Sequence, residues 1–186
     1  MMTIINKLIL KTPWLTANLL TTIRLLSSFP LFIFVVRGWY WAAFFLFSFM
    51  SLTDILDGHI ARLKKTNKET GAIFDGLTDM FFFLPSFTFL GLKFLNPTIV
   101  FLLVALEISR GVLALLAKIL QFKIILSSNI AGKIKAWFEY LGLMALLLSP
   151  AYLYYFANIF FIIAFIFAIA NLVFHLERFA RSNINN

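Results

Sequence analysis

The stretch DILDGHIARLKKTNKETGAIFDGLTD, residues 54–79, holds every aspartate in the chain: Asp54, Asp57, Asp75 and Asp79. Long apolar runs flank it, and charge so close to lipid is costly unless a partner is present. Asp54 and Asp57 are three residues apart and Asp75 and Asp79 four, so on helices each pair shares a face. Gly58, the basic stretch RLKKTNK and Gly71 divide the window into the end of one helix, a short turn and the start of another. Two antiparallel helices joined in this way aim both pairs at one point. Four converging carboxylates repel one another unless cations are present. Oxygen ligation without His or Cys suits Mg²⁺ or Mn²⁺, and two such ions about 3.5–4 Å apart form a clamp for phosphoryl displacement. Gly58, Ala61 and Gly71 leave room for a bulky group at the backbone, and Arg62 offers a fork for a phosphate. The plainer alternative is a helix hairpin whose aspartates merely pair with RLKK, but that does not call for this spacing with glycines interleaved. His59 reads as a headgroup neighbour or passive interfacial residue rather than a base.

The elements that must position these residues are membrane helices. The 186 residues are 62% hydrophobic, well above the roughly 45–50% of soluble domains. A span needs about 20 helical residues, and six stretches qualify: 18–36, 40–62, 72–95, 98–121, 131–150 and 152–176. The expected fold is therefore an all-α integral membrane protein with six transmembrane helices. It forms a single domain over residues 1–186, opened by a short interfacial helix over 1–13 that Pro13 ends. MMTIINKLILKTPWL lacks the long apolar run and small-residue cleavage site of a secretory signal. Basic residues crowd alternate connections: Lys7 and Lys11, then Arg62 to Lys68, then Lys118 to Lys135, then Arg178 and Arg181. Both termini and the aspartate window are thus expected on the cytoplasmic side of a cell (inner or plasma) membrane. Trp39, Tyr40 and Trp41, with Tyr152, Tyr154 and Tyr155, fit an outer aromatic belt. The net charge of +8, placed between spans, points to headgroups and phosphates rather than nucleic acid. The absence of cysteine excludes a thiolate metal site, a disulfide framework and a cysteine nucleophile. The 24 phenylalanines read as lipid-facing and interhelix filling.

The pattern Asp54-x-x-Asp57-Gly58-x-x-Ala61-Arg62, eight residues, Gly71-x-x-x-Asp75-x-x-x-Asp79 resembles the signature of the CDP-alcohol phosphatidyltransferases at all eight defining positions. The resemblance implies two divalent cations, Mg²⁺ or Mn²⁺, one held by Asp54, Asp57 and Asp75 and the other by Asp54, Asp75 and Asp79. It implies that Gly58, Ala61, Arg62 and Gly71 line the site of a CDP-linked lipid such as CDP-diacylglycerol. It also implies that Asp79 takes the proton of an acceptor hydroxyl, with CMP as the leaving group. A neutral alcohol does need a positioned base, and the diphosphate does need its charge neutralised.

Three further stretches bear on the acceptor. NLLTTIRLLSSFP, with Asn18, Thr21, Arg24 and Pro30, resembles the opening of the bacterial phosphatidylglycerophosphate synthases, as does the Gly132-Lys133-x-Lys135 segment. Arg110 stands inside the fourth span, where an unpaired guanidinium is costly. Arg110, Lys133 and Lys135 are the candidate cup for an acceptor with its own phosphate, glycerol 3-phosphate or inositol phosphate, beside the metal site. Plainer readings stand next to this one: Lys133 and Lys135 mark the cytoplasmic edge, Arg110 pairs with Glu107, and Lys135 pairs with Glu139. The subfamily's usual Asp-Pro-x-Ala-Asp-Lys is DGLTDM here, and Ala136 and Glu139 replace a threonine and a glutamine. Serine, inositol phosphate and phosphatidylglycerol therefore stay open as acceptors, and a homodimer is a further expectation of the resemblance. From another class, a divalent-cation transporter predicts acids spread through the membrane depth, whereas these aspartates cluster at one edge.

Overall fold

The computed structural model describes residues 17–64, 68–119 and 129–184, with side chains at 19–54, 78, 80–113, 115–116 and 129–177. The described residues form six α-helices and no strand: α1 (Ala17–Val36), α2 (Tyr40–Lys64), α3 (Lys68–Phe94), α4 (Pro97–Ile119), α5 (Ile130–Leu148) and α6 (Pro150–Ile184). Each coincides with one of the six expected stretches. The expected interfacial helix over 1–13 lies outside the described residues. The largest difference is at α6, which continues eight residues beyond the expected end at 176. Hydropathy marks only the apolar stretch, whereas the helix goes on through ERFARSNI, whose Glu, Arg and Ala residues favour helix without being apolar enough to extend a span. At 35 residues it is about 52 Å long, more than the roughly 30 Å hydrocarbon core requires.

The helix ends are written in local chemistry. Gly38 has φ +74°. Its amide donates to the Val35 carbonyl at 3.1 Å, and the Trp39 amide to that of Phe34 at 2.9 Å. This is a Schellman motif, and it carries the accompanying apolar contact: the Phe34 and Trp39 rings lie 5.8 Å apart. Asn96 caps α4 by accepting from the Thr98 amide at 2.9 Å, with Pro97 as the first helical residue. Asn129 caps α5 by accepting from the Gly132 amide at 2.6 Å. One residue, Ser149, separates α5 from α6, and its carbonyl accepts from Leu153 at 2.8 Å.

The chain divides into two compact units, Met1–Pro85 and Ser86–Asn186, each with its own core. In the first, α1 packs on α2; Thr21, Arg24, Leu31 and Val35 are the buried side of α1, and Ala43, Phe47, Met50 and Ser51 are buried on α2. The helical spacing of both sets makes each a single face. Phe47 stacks on Phe82 of α3, with centroids 5.1 Å apart and planes 7° from parallel. In the second unit α5 and α6 run antiparallel, and α4 also packs on α6. Phe161 is the hub: it lies 4.7 Å from the Phe87 ring and directly over Gly142, where a Cβ would come within 2.7 Å of it.

Apolar side chains also cover the outside. Phe29, Phe45, Phe49 and Phe101 are each more than 60% exposed, a surface suited to lipid rather than water. Among the described residues two stretches, Leu19–Val36 and Pro150–Glu177, are long and apolar enough to cross a membrane, and Met80–Phe94 is a shorter apolar helix. The other helices carry charge within their length: Asp54 and Asp57 in α2, Glu107 and Arg110 in α4, and Lys133, Lys135 and Glu139 in α5.

Candidate functional site

The motif residues fall on the two helices that precede and follow residues 65–67 in the chain. Asp54, Asp57, Gly58, Ala61 and Arg62 belong to the last turns of α2, and Gly71, Asp75 and Asp79 to the first turns of α3. Asp54 is the motif residue whose side chain is described; those of Asp57, Gly58, Ala61, Arg62, Gly71, Asp75 and Asp79 lie outside the description. Its Oδ1 accepts from Arg24 Nη1 at 2.8 Å. Arg24 is fully buried while Asp54 stays 30% exposed. No group of three His, Cys, Asp or Glu side chains gathers for a metal among the described residues, three of the four aspartates lying outside them. The donor that is described fits a hard divalent ion: an anionic carboxylate oxygen, with the carboxylate held by a second side chain as metal-ligating carboxylates are.

The second unit carries a buried charge cluster. Glu107 of α4 receives Arg110 Nη2 on Oε2 at 2.9 Å and Lys135 Nζ on Oε1. Lys135 also reaches Glu139 Oε2 at 3.3 Å. Glu107, Lys135 and Glu139 are all under a tenth exposed, and Arg110 is 38% exposed. Two acids and two bases leave the cluster neutral as a whole. Both plainer pairings foreseen for Arg110 and Lys135 are thus present. Lys133 stands apart, exposed to the outside. Glu139 Oε1 is buried with no hydrogen-bond partner among the described residues. Asn171 of α6 is buried beside Gly132, close enough that a Cβ there would meet its Oδ1 at 3.2 Å.

Sequence reasoning missed the α4–α5 link from Glu107 to Lys135, the Arg24–Asp54 pair and buried Asn171. The signal for Arg24 was available, since it is the one charged residue in the apolar helix α1 and must find a counter-ion. Which acid it finds is a matter of packing.

A sequence profile described as CDP-alcohol phosphatidyltransferase matches residues 14–171, most of the chain and both units. The chain belongs to the CDP-alcohol phosphatidyltransferase family. Members of this family are phosphotransferases of lipid synthesis that generally use divalent metals. Two similar proteins carry the name CDP-diacylglycerol–glycerol-3-phosphate 3-phosphatidyltransferase. The one from Aquifex aeolicus (strain VF5) is 39% identical over 95 residues, covering 50% of this chain and 53% of that protein. The one from Cereibacter sphaeroides is 37% identical over 70 residues, covering 36% of this chain and 32% of that protein. The match therefore spans about half the length of the first relative and a third of the second.

Proposed function

We propose that this CDP-alcohol phosphatidyltransferase moves the phosphatidyl group of CDP-diacylglycerol to a hydroxyl of glycerol 3-phosphate, giving phosphatidylglycerophosphate and CMP. The observation that carries the reading is the complete eight-position motif, residues 54–79, inside the matched region 14–171. The names of the two relatives support the acceptor. The Phe47–Phe82 stack supports convergence of the motif. With α2 and α3 antiparallel, seven residues from the stack along each helix bring Asp54 level with Asp75, and eleven bring Gly58 level with Gly71.

In this reading Asp54, Asp57 and Asp75 hold one divalent ion, and Asp54, Asp75 and Asp79 the other. These carboxylates would thereby bring to the diphosphate the positive charge that makes CMP a better leaving group. Arg62 forks onto a phosphate, while Gly58, Ala61 and Gly71 let the nucleotide lie against the backbone. Asp79 accepts the proton of the acceptor hydroxyl as its oxygen bonds to the lipid-side phosphorus and the bond to CMP breaks. Six membrane crossings put the site and both termini on the cytoplasmic face, so the acyl tails reach it from the bilayer and the acceptor from water. The unbroken family match across both units supports one domain.

In this reading Arg110, Lys133 and Lys135 are the contacts to the acceptor phosphate. The carboxylates of Glu107 and Glu139 on two of those bases favour a second reading, an acceptor that carries no phosphate, such as serine. CMP release by the purified chain with CDP-diacylglycerol and Mg²⁺ tests both, with one acceptor supplied at a time. Release with glycerol 3-phosphate, and its loss in Asp79→Asn, is expected. Release with serine alone keeps the chemistry and replaces the acceptor. No release with any acceptor, from folded protein that binds the lipid nucleotide, overturns the reading.

A further inference from the structure

We infer that Arg24 is a positioning residue of the metal site: by holding Oδ1 of Asp54 it orients the first carboxylate of the motif for a divalent ion. The inference rests on the metal reading proposed above. It concerns a residue outside the motif, on a helix that carries none of the motif residues.

Three observations carry it. The first is the contact itself. Nη1 of Arg24 and Oδ1 of Asp54 are 2.8 Å apart, the length of a charge-assisted hydrogen bond. A guanidinium keeps its charge at any working pH and presents its donors in a rigid plane, so it fixes direction as well as neutralising charge.

The second is the asymmetry of burial. A pair that served only to hide a stray charge from lipid would bury both partners. Here the base is completely enclosed and the acid remains 30% exposed. The fixed member of the pair is the arginine, and the member that still faces an open side is the carboxylate.

The third is how Arg24 is fixed. It shares the buried face of α1 with Thr21, Leu31 and Val35, on a helix that packs against α2. Phe47 lies two turns before Asp54 and stacks on Phe82 of α3, so the helix whose Asp54 Arg24 holds is also tied to the helix bearing Asp75 and Asp79. An outer residue placed in this way determines how its carboxylate meets a metal, and removing such a partner typically weakens metal affinity about 10–100-fold.

Two effects of Arg24 on a bound cation oppose one another, and the sign of the outcome separates them. The guanidinium charge repels a nearby metal, so charge alone predicts that Arg24→Gln binds metal as tightly as the wild type or more tightly. Orientation predicts weaker binding.

The experiment uses the full chain in detergent and follows Mn²⁺ binding by the paramagnetic resonance of the free ion, a readout independent of turnover. The wild type is expected to bind Mn²⁺ and Asp54→Asn to lose it. Arg24→Gln should bind about 10–100-fold more weakly, and Arg24→Lys should fall between because a point charge replaces the planar fork. In CMP release, Arg24→Gln should show a raised KM for Mg²⁺ with much of its kcat recovered at excess Mg²⁺; a merely structural role would lower the unfolding midpoint and leave metal affinity of the folded protein alone. Unchanged or tighter Mn²⁺ binding by Arg24→Gln, beside loss in Asp54→Asn, overturns this inference and leaves the metal reading standing. No Mn²⁺ binding by the wild type, or equal binding by Asp54→Asn, overturns the metal reading and this inference with it. If Arg24→Gln does not fold, Arg24→Lys decides, and affinity equal to the wild type overturns the inference.

Discussion

Charged side chains buried among apolar helices define this chain, and they fall into two kinds. Asp54 keeps part of its carboxylate exposed, which suits a ligand. Lys135 does not: it is sealed between Glu107 and Glu139 with 3% of its side chain exposed. Lys135→Met therefore removes the cation between two buried carboxylates, and stability should fall by about 3–5 kcal/mol, read as a lowered unfolding midpoint in detergent. If Lys135 instead served only as a phosphate contact at an open surface, the midpoint would scarcely move while KM for the acceptor rose. At Asp79 the expectation is reversed. Asp79→Asn should leave the unfolding midpoint near its wild-type value and cut CMP release by about 10²–10⁴, the usual contribution of a positioned base. Much of this was legible beforehand. The aspartates, glycines and Arg62 stand at spacings that helical periodicity alone brings to one face. The i to i+3 pair Glu107–Arg110 and the i to i+4 pair Lys135–Glu139 were legible for the same reason. The pairs Arg24–Asp54 and Glu107–Lys135 were not, because their partners are separated by about thirty residues of chain and meet only when helices pack.

At the scale of elements, two glycines show how differently the same residue is used. Gly38 sits at φ +74° with open space where a Cβ would be. Gly38→Ala should therefore cost only the backbone strain of the left-handed region, about 1 kcal/mol. Gly142 has ordinary helical geometry, but a Cβ there would stand 2.7 Å from the Phe161 ring. Gly142→Leu should cost about 1–3 kcal/mol or more by overpacking, and it should push α5 and α6 apart at Phe161. Unfolding midpoints of the two variants, measured side by side, check the order. A larger loss for Gly38→Ala would show that the Schellman turn matters more than the α5–α6 contact. The first site was readable as a Gly in a break between apolar runs. The second was not, because which residue faces Gly142 is a property of the helix pair.

At the scale of the whole molecule, the basic residues set the expected topology, and the lack of native cysteine makes it simple to test. Arg37→Cys should react with an impermeant maleimide from outside intact cells, and Ser182→Cys only after the membrane is opened. Labelling of both from the same side would overturn the six-span arrangement while leaving the family assignment untouched.

The sequence by itself determined the helical class, the extent of five of the six described helices to within about four residues, the family and the identity of the motif. Those properties depend on hydropathy, local capping chemistry and spacing along one helix, all of which are short-range. The tertiary structure alone decided that Asp54 is held by a base from α1, that Lys135 is enclosed by carboxylates from two helices and that Phe161 closes over Gly142. These depend on which faces meet across helices, and in an apolar chain nearly every face is hydrophobic, so periodicity cannot tell the packed side from the lipid side.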